Sequence, residues 1–351
     1  MKIVFVCDTM GSGGAERVIS TLSNEFARLN HDVTIIMASH HLKESFYQLS
    51  EDVKLLPLLK EQNNRPRFFK RAKLLKTAII AEQPDIVISF LSHICIYTWF
   101  ALKNTKIPYV VSERNDPNQY SSLQKILLKK TFKKATGCVF QTADALLWYG
   151  KSVSNKSTII HNPVNLTYRP NSEISKRKNE IIAVGRLWEQ KNYFFLIDAF
   201  KIFSAKHEEY VLKIYGDGPL KNEINECINQ KGLQNKILLC SKSTNWHKEE
   251  FDTKMFVLPS KYEGMPNSLE EALCLGIPSV STNCPIGGPK ELKNMFPNLL
   301  VLVDSHKAEG FAKGMEECLS IENNKSDIPN CLSVGFIVEK WLDFFRKVLN
   351  K

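Results

Sequence analysis

The feature that most constrains the fold is an alternation, repeated twice along the chain, of short apolar runs with longer helix-like stretches. Such runs predict parallel strands, because a strand covered on both faces reads as a continuous apolar segment. The strands predicted in the first half are Lys2–Cys7, Asp32–Met37, Asp85–Phe90, Tyr109–Ser112, Gly137–Phe140 and Ser157–Ile160. Those predicted in the second half are Ile181–Val184, Val211–Tyr215, Ile237–Cys240, Met255–Pro259, Pro278–Ser281 and Leu299–Val303. The alternation predicts an α/β protein with two doubly wound domains.

The segments between the predicted strands support this division. Helices are predicted near Ala15–Leu29, Phe68–Glu82 and Leu123–Lys134, and Gly335–Asn350 predicts a final amphipathic helix. The polar segment Asn162–Glu180 has two prolines and no periodicity, which predicts a linker. A length of 351 residues also favours two domains, because single cores rarely grow beyond roughly 250–300 residues.

Composition excludes several classes of protein. A hydrophobic content of 43% indicates a globular chain, and nine cysteines without a Cys-x-x-Cys pair suit buried thiols in a reducing cytosol. The apolar run Ile86–Leu102 approaches the length of a membrane span, but the polar residues within it favour a buried strand followed by a buried helix. The first apolar run meets Asp8 too early for a signal peptide and predicts a strand.

The net charge of +10 is concentrated in the first half of the chain. The basic residues of one cluster are Lys54, Lys60, Arg65, Arg67, Lys70, Arg71, Lys73 and Lys76, against the single acidic residue Glu61. A second cluster runs from Gln124 to Lys134. Each cluster alone reads as a solvated helix face, but together they suggest attraction to anionic lipid or another polyanion. Nucleic acid is not expected, because no zinc-finger or RNA-binding motif accompanies the charge.

Residues that directly follow the predicted strands are the candidate ligand contacts, because doubly wound sheets bind ligands beyond the carboxyl ends of their strands. After the first strand, Gly13 and Gly14 would allow backbone N–H groups to approach a phosphate. Glu16 stands where a dinucleotide fingerprint needs glycine. In the second half, Arg186 and Lys191 flank a loop that enters a helix, and two cations there would suit a departing diphosphate. Two surface bases are the alternative interpretation.

The segment that begins with Glu263 carries the most specific signal. Glu263 follows a predicted strand, and Glu271 would lie one turn inside a helix that starts near Asn267. Carboxylates at these positions can accept hydrogen bonds from the hydroxyls of a sugar nucleotide, beside the unpaired N–H groups of the helix start. A capping box formed by Ser268 and Glu271 would explain Glu271 without any ligand.

In this region the chain resembles the retaining GT-B glycosyltransferases of family 4 (group 1), whose E-x7-E signature matches Glu263 to Glu271. The segments "GSGGAER", "GRLWEQKN", "YGDGP" and "GGPKEL" appear in the order the family has them. The resemblance implies two Rossmann-like domains that face each other across a cleft. Residues 1–165 would bind the acceptor and be completed by a helix at 336–351. Residues 166–180 would form the linker, and residues 181–335 would bind the nucleotide sugar.

The resemblance also implies the roles of the candidate site residues. Arg186 and Lys191 would hold the donor diphosphate, and together with Glu263 they are the expected catalytic residues. Glu263 and the backbone from Gly264 to Ser268 would hold the donor sugar and phosphate, Glu271 the ribose, and Gly13 and Gly14 would approach from the first domain. The residues expected to bind the donor are therefore Gly13, Gly14, Gly264, Met265, Pro266, Asn267, Ser268 and Glu271.

The activity implied by the resemblance is retaining transfer of a hexose or N-acetylhexosamine. The expected donor is a UDP-sugar, and the expected acceptor is a polyprenyl-diphosphate-linked sugar at the inner face of the cytoplasmic membrane. No cofactor is expected, and the lack of an Asp-x-Asp pair favours metal-free chemistry. A nucleotide-sugar epimerase and a non-catalytic protein that binds nucleotide sugar or polyanion remain the alternatives.

The chain departs from the family at one position. Many relatives carry a histidine where "SERNDP" places Arg114, so no catalytic histidine is carried over. His93 is a spare candidate, although a buried structural histidine is the expectation for it, and His161 is expected to be structural too.

Overall fold

The structure is a computed structural model that describes residues 1–40, 44–59, 67–166, 177–243, 245–304, 307–322 and 327–350. Lys60, Glu61 and Arg65 of the first basic cluster, and 167–176 of the predicted linker, lie outside the described residues. The chain divides into two compact units. One is Met1–Asn165 together with Asn330–Lys351, and the other is Leu166–Pro329.

Each unit is built on one parallel sheet. The strands of the first sheet are β1 (Lys2–Cys7), β2 (Asp32–Met37), β3 (Val53–Pro57), β4 (Ile86–Phe90), β5 (Tyr109–Ser112), β6 (Gly137–Phe140) and β7 (Ser157–Ile159), in the order β3-β2-β1-β4-β5-β6-β7. Those of the second are β8 (Lys178–Val184), β9 (Val211–Tyr215), β10 (Ile237–Cys240), β11 (Thr253–Leu258), β12 (Ser279–Thr282) and β13 (Leu300–Val303), in the order β10-β9-β8-β11-β12-β13. The predicted α/β, doubly wound class is confirmed.

Helices connect the strands in both units. Those of the first unit are α1 (Gly14–Arg28), α2 (Phe68–Glu82), α3 (Ser92–Leu102), α4 (Ser122–Lys134), α5 (Ala143–Tyr149) and α6 (Lys151–Ser154). Those that follow are α7 (Tyr193–Ser204), α8 (Lys221–Gln230), α9 (Trp246–Glu249), α10 (Asn267–Cys274), α11 (Gly288–Met295), α12 (Ala308–Leu319) and α13 (Val334–Leu349). None of the helices in the described ranges is both long and apolar enough to cross a membrane.

The strand order reverses once in each sheet. In the first sheet β1 lies between β2 and β4, and in the second β8 lies between β9 and β11. At such a switch point the connections leave toward opposite faces of the sheet, which opens a crevice beyond the carboxyl ends of the two central strands. The topology therefore marks two places for ligand-binding residues, one after β1 and β4 and the other after β8 and β11.

The final helix belongs to the first unit. Ser333 caps α13 by accepting a hydrogen bond from the backbone N–H of Phe336. Trp341 and Phe345 are fully buried in the core cluster that also contains Phe5 and Phe90 of the first sheet. The amphipathic pattern of α13 thus serves to complete the core of the first unit.

The structure differs from the sequence predictions at two boundaries. Strand β3 was not predicted, because Val53 is its only buried residue and its other positions are partly or fully exposed, as expected of an edge strand. The predicted linker is too long at its end, because Lys178–Glu180 extend β8 and pair with neighbouring strands. All nine cysteines are free, and six of them are buried.

Candidate functional site

The loops after β8 and β11 are joined by hydrogen bonds. The side-chain amide of Gln190 donates to the carbonyl of Tyr262 at 2.9 Å, and the backbone N–H of Lys261 donates to the carbonyl of Gln190 at 2.8 Å. Asn192 adopts a left-handed conformation (φ 57°, ψ 42°), which asparagine tolerates better than most residues, and its amide donates to the carbonyl of Pro259 at 3.2 Å. These bonds hold the two loops in one arrangement at the switch point.

An ion pair of Lys191 and Glu263 lies at the centre of these loops. Lys191 Nζ is 2.6 Å from Glu263 Oε1, and the hydroxyl of Ser260 donates to the same oxygen at 2.7 Å. The side chains are only 14% and 9% exposed. A charge-assisted bond in a site with little water is strong and directional, so each side chain fixes the other.

Two glycines make room for the pair. A Cβ at Gly185 would lie 3.0 Å from Lys191 Cε, so the aliphatic part of the lysine side chain packs closely against the backbone of Gly185. A Cβ at Gly288 would lie 1.7 Å from the carbonyl oxygen of Gly264, because the first turn of α11 packs directly on the residue after Glu263. The "GGP" segment, which contains Gly288, therefore packs against the turn that carries Glu263.

Two other ionisable groups near Glu263 are electrically silent at neutral pH. Burial, and then the charge of Glu263, raise the pKa of the Cys284 thiol to about 12. Burial is also the larger cause that raises the pKa of Tyr193, and the negative charge of Glu263 is the smaller one. A neutral thiol is a poor nucleophile, so Cys284 does not suit covalent catalysis. Lys191 and Glu263 remain the chemically active groups of this cluster.

Helix α10 starts beside the pair, as predicted, and the capping box that was the alternative interpretation of Glu271 does not form. The helix begins at Asn267 with Pro266 as its N-cap residue, so Ser268 lies inside the helix. Its hydroxyl donates to the carbonyl of Val184, the last residue of β8, at 3.1 Å. Glu271 is 3% exposed. The capping-box interpretation of Glu271 is therefore wrong, and Ser268 instead joins α10 to the end of β8.

Arg186 has a different environment from Lys191, although both lie in the loop after β8. Arg186 is exposed, and its guanidinium lies 5.3 Å from the centre of the Trp188 ring, which is 50% exposed. A guanidinium that lies over an aromatic ring keeps its N–H groups in its own plane, where they are available to a bidentate anion such as a phosphate.

The remaining predicted residues lie in the first unit. Gly13 is the N-cap of α1 and Gly14 is its first residue. The guanidinium of Arg114 lies 4.0 Å from the centre of the Phe90 ring and donates to Asn162 Oδ1 at 2.8 Å. Arg114 thus occupies the carboxyl edge of the first sheet.

A buried carboxylate that sequence reasoning missed holds the chain before Arg114. Glu113 is 1% exposed and accepts hydrogen bonds from Ser92, Tyr149 and the backbone of Arg114 and Asn115. Burial raises the pKa of Glu113, although those hydrogen bonds oppose the rise. The acidic residue between a strand and a polar loop was the available signal.

The two histidines differ. His161 Nδ1 is 2.9 Å from the carbonyl of Gln141, as a structural role requires. The expectation of a buried His93 is wrong, because its side chain is 50% exposed, at the start of α3. Over the described ranges, no cluster of three or more His, Cys, Asp or Glu side chains is placed to hold a metal ion.

Two parallel, doubly wound sheets, each with a switch point between its central strands, are the architecture of the GT-B fold. Family models match nearly the whole chain, "Glycosyltransferase Family 4" over residues 12–168 and "Glycosyl transferases group 1" over residues 165–330. The chain belongs to this glycosyltransferase family.

Named relatives and solved structures agree with this assignment. A Campylobacter jejuni GalNAc-alpha-(1->4)-GalNAc-alpha-(1->3)-diNAcBac-PP-undecaprenol alpha-1,4-N-acetyl-D-galactosaminyltransferase is 27% identical and covers 100% of this chain and 99% of its own. The amylovoran biosynthesis glycosyltransferase AmsD of Erwinia amylovora is 23% identical, with 98% and 99% covered. Anabaena HepE, crystallised with UDP and glucose, shares the fold with a TM-score of 0.76 at 16% identity, with 99% of each chain covered.

Proposed function

We propose that this glycosyltransferase moves a hexose or N-acetylhexosamine, with retention, from a UDP-sugar to a polyprenyl-diphosphate-linked sugar. The observation that carries the proposal is the buried Lys191–Glu263 pair at 2.6 Å beyond β8 and β11. A cation next to a carboxylate at this position can bind both halves of a sugar diphosphate. The ammonium would face the phosphate, and the carboxylate would accept hydrogen bonds from sugar hydroxyls.

Lys191 and Arg186 would act on the leaving group. As the bond between the sugar and the diphosphate breaks, negative charge grows on the phosphate oxygens. Cations already in place stabilise that charge without reorganising during the reaction. Lys191 is held in place by its ion pair with Glu263, so its ammonium would offer the diphosphate a charge in a fixed position. Arg186 is exposed beside Trp188, so its side chain can adjust to the position of the diphosphate.

Glu263 and Glu271 would bind the parts of the donor whose charge does not change. Glu263 would orient the sugar, and Glu271 would accept hydrogen bonds from the ribose. The backbone from Gly264 to Ser268, where α10 begins, would add N–H donors to the phosphate, since a helix start favours an anion. Gly13, the N-cap of α1, and Gly14, its first residue, would present backbone N–H groups to an anion.

The relatives support the choice of donor and acceptor classes. The Campylobacter jejuni relative is named for transfer of N-acetylgalactosamine to an undecaprenol-diphosphate-linked saccharide. The Anabaena structure contains UDP and glucose. We propose the same classes of donor and acceptor here, without a metal or other cofactor.

We also propose that the first unit rests on the inner face of the cytoplasmic membrane, where a polyprenyl-linked acceptor is presented. Phe69 on α2 is 75% exposed beside the exposed lysines Lys70 and Lys73. On α4, Leu123 and Ile126 are 67% and 65% exposed at the start of the second basic cluster. Exposed apolar side chains beside lysines suit an anionic lipid surface.

One member of the first basic cluster faces inward and has a different role. Arg71 is only 12% exposed, and its Nε donates to the carbonyl of Ala38 at 2.9 Å. Its guanidinium also lies 4.8 Å from the centre of the Tyr97 ring. Arg71 therefore does not belong to the proposed membrane surface.

The test is to incubate the purified protein with a panel of UDP- and GDP-sugars, with and without undecaprenyl-diphosphate-linked saccharides. Release of UDP and an acceptor that gains one sugar in the donor's anomeric configuration, read by NMR, are the expected results. Interconversion of donor sugars without transfer would indicate an epimerase. Saturable binding with no turnover of any donor would indicate a non-catalytic binding protein.

A further inference from the structure

The carboxylate of Glu263 is held by two donors that share one oxygen atom. Lys191 Nζ lies 2.6 Å from Oε1, and the hydroxyl of Ser260 donates to that same oxygen at 2.7 Å. Among the described residues, none is hydrogen-bonded to the other oxygen, Oε2. A single bond would let the carboxylate turn about it, whereas two bonds from different loops also fix its plane. The direction in which Oε2 points is therefore set by the structure.

Ser260 is itself fixed by a neighbouring strand. It is 1% exposed, two residues beyond the end of β11, and its carbonyl accepts a hydrogen bond from the hydroxyl of Thr282 at 2.6 Å. Thr282 is the last residue of β12, which pairs with β11. The serine hydroxyl is thus carried by the ends of two paired strands, which hold a side chain in place better than a loop does.

Buried serines on β12 form a different kind of bond. The hydroxyl of Ser279 donates to the carbonyl of Ile277 at 2.9 Å, and that of Ser281 donates to the carbonyl of Thr282 at 3.0 Å. Bonds to the backbone satisfy a buried hydroxyl without any ligand. The hydroxyl of Ser260 donates to a carboxylate instead. Its bond therefore acts on the orientation of a charged side chain.

We propose that Ser260 is a positioning residue that makes the enzyme selective for the configuration of the donor sugar. The assignment rests on the proposed function, in which Glu263 accepts hydrogen bonds from hydroxyls of that sugar. Because Oε1 is engaged by Lys191 and Ser260, the sugar hydroxyl would bind Oε2. A site that bonds a hydroxyl in one position rejects the epimer that lacks it there, since the buried acceptor is then left without a partner.

Loss of the Ser260 hydroxyl would have a limited effect on the site. The ion pair with Lys191 would still hold Oε1 of Glu263, so the charges that face the diphosphate would stay in place. The carboxylate would gain freedom to turn, and it could then meet a hydroxyl of either configuration. The proposal therefore predicts weaker discrimination between epimeric donors and unchanged binding of the nucleotide.

The experiment measures kcat/KM for nucleotide release from pairs of donors that differ in the configuration of one hydroxyl, such as UDP-glucose and UDP-galactose. We expect Ser260→Ala to lower the ratio of kcat/KM within such a pair by about 10-fold, the effect of one hydrogen bond to a charged group. Ser260→Cys should lose discrimination too, because a thiol of similar size is a weak donor. Affinity for UDP alone should not change, because UDP carries no sugar for Glu263 to contact.

A double-mutant cycle tests whether Ser260 acts through Glu263. In the background of Glu263→Gln, Ser260→Ala should change the ratio by less than about twofold, because residues that act as a unit are not additive. Ser279→Ala is the matched control, since Ser279 is equally buried but donates to the backbone. It should lower the melting temperature and leave the ratio unchanged. Melting curves establish that each variant is folded.

The possible outcomes separate the two proposals. Unchanged discrimination by Ser260→Ala, a parallel loss of UDP affinity, a full effect in the Glu263→Gln background, or a wild type indifferent to every epimeric pair would overturn the role of Ser260 and leave the proposed function standing. Failure of the wild type to release nucleotide from any donor would overturn the proposed function, and the Ser260 assignment with it. Reduced discrimination in the folded alanine and cysteine variants, with UDP affinity intact, supports both.

Discussion

The two sheets have the same topology at their centres but carry different chemistry there. After β8 and β11 the pair is a lysine and a glutamate, 14% and 9% exposed and 2.6 Å apart. After β1 and β4 it is a histidine and an aspartate, His93 and Asp8, 50% and 35% exposed and 3.6 Å apart. The buried pair suits a fixed charge, because little water screens it. The more exposed pair is in contact with water, which screens its charges more strongly.

The loops explain the difference between the two switch points. Gly185 and Gly288 allow side chain and backbone to pack closely around Lys191 and Glu263, which excludes water. At the first switch point the bulky Leu91 occupies a strained conformation instead, and the chain emerges with His93 exposed. The doubly wound topology thus sets where each pair lies, while the residues of the loops set how far each pair is exposed to water.

The largest expected effect is that of Lys191→Met. The change would leave Glu263 buried without its cation, which typically costs about 3–5 kcal/mol of unfolding free energy. It would also remove a charge aimed at the leaving diphosphate, which lowers kcat by about 10²–10³-fold. Thermal unfolding and steady-state kinetics measure the two effects.

The double variant Lys191→Met with Glu263→Gln separates stability from catalysis. With no charge left buried, much of the stability should return while turnover stays low. The matched control is Lys261→Ala, which breaks an exposed pair with Glu189 at 3.0 Å on the same loops and should cost about 0–1 kcal/mol. Recovery of turnover in the double variant would contradict the catalytic role of Lys191.

A smaller effect is expected at Glu271, whose partner in the donor would be the ribose. Its hydrogen bonds do not change as the reaction proceeds, so Glu271→Ala should raise donor KM by about 10–100-fold with little change in kcat. Because Glu271 is buried, the variant should also unfold at a lower temperature.

Glu270→Ala provides the comparison for Glu271, since Glu270 is the adjacent buried carboxylate on α10. We expect Glu270→Ala to lower stability while donor KM remains normal. If both variants lose stability and both keep a normal donor KM, Glu271 supports the helix and does not contact the donor.

The proposed membrane surface of the first unit gives the next smaller effect. Replacing Lys70, Lys73 and Lys76 with glutamine should weaken binding to anionic vesicles by on the order of tenfold. Each lysine near such a surface contributes at most about 1 kcal/mol, and salt screens charges over roughly 8 Å. Vesicle co-sedimentation at two salt concentrations measures the loss, and hydrolysis of soluble donor should stay normal.

Arg71 gives a control with the opposite signature. It lies on the same helix but contacts Asp8 and Ala38. Arg71→Gln should disturb the pair at the first switch point and leave vesicle binding intact. Equal vesicle binding by the triple lysine variant and the wild type would contradict the membrane proposal.

Sequence patterns predict buried strands and helices better than they predict edge strands or the exposure of single site residues. Continuous apolar runs such as that at residues 3–7 identify buried strands, whereas the edge strand β3 carries too little buried surface for a clear pattern. Helix periodicity likewise predicted Phe68–Glu82 at both ends. Apolar neighbours suggested a buried His93, but a residue in the first turn of a helix can point away from the core that its neighbours enter.

The pairing within the site depends on tertiary structure. Lys191 and Glu263 are 72 positions apart, and only the adjacency of β8 and β11 brings them into contact. Ser268 and Glu271 have the spacing of a capping box, yet the helix starts one residue before Ser268, so the serine hydroxyl meets β8 instead. The spacing of the two residues suggested that they pair with each other, but the position at which the helix starts determined which partner the serine has.

The smallest expected effect is that of removing metal ions, which should leave transfer unchanged. In the proposed reaction Arg186 and Lys191 supply the positive charge that a divalent cation supplies in other enzymes that act on diphosphates. Transfer rates measured after EDTA dialysis should therefore match those of the untreated enzyme. Loss of activity in EDTA with recovery in Mn²⁺ would contradict the roles of both cations. The buried pair would then position the donor sugar, and charge stabilisation at the second switch point would belong to the metal.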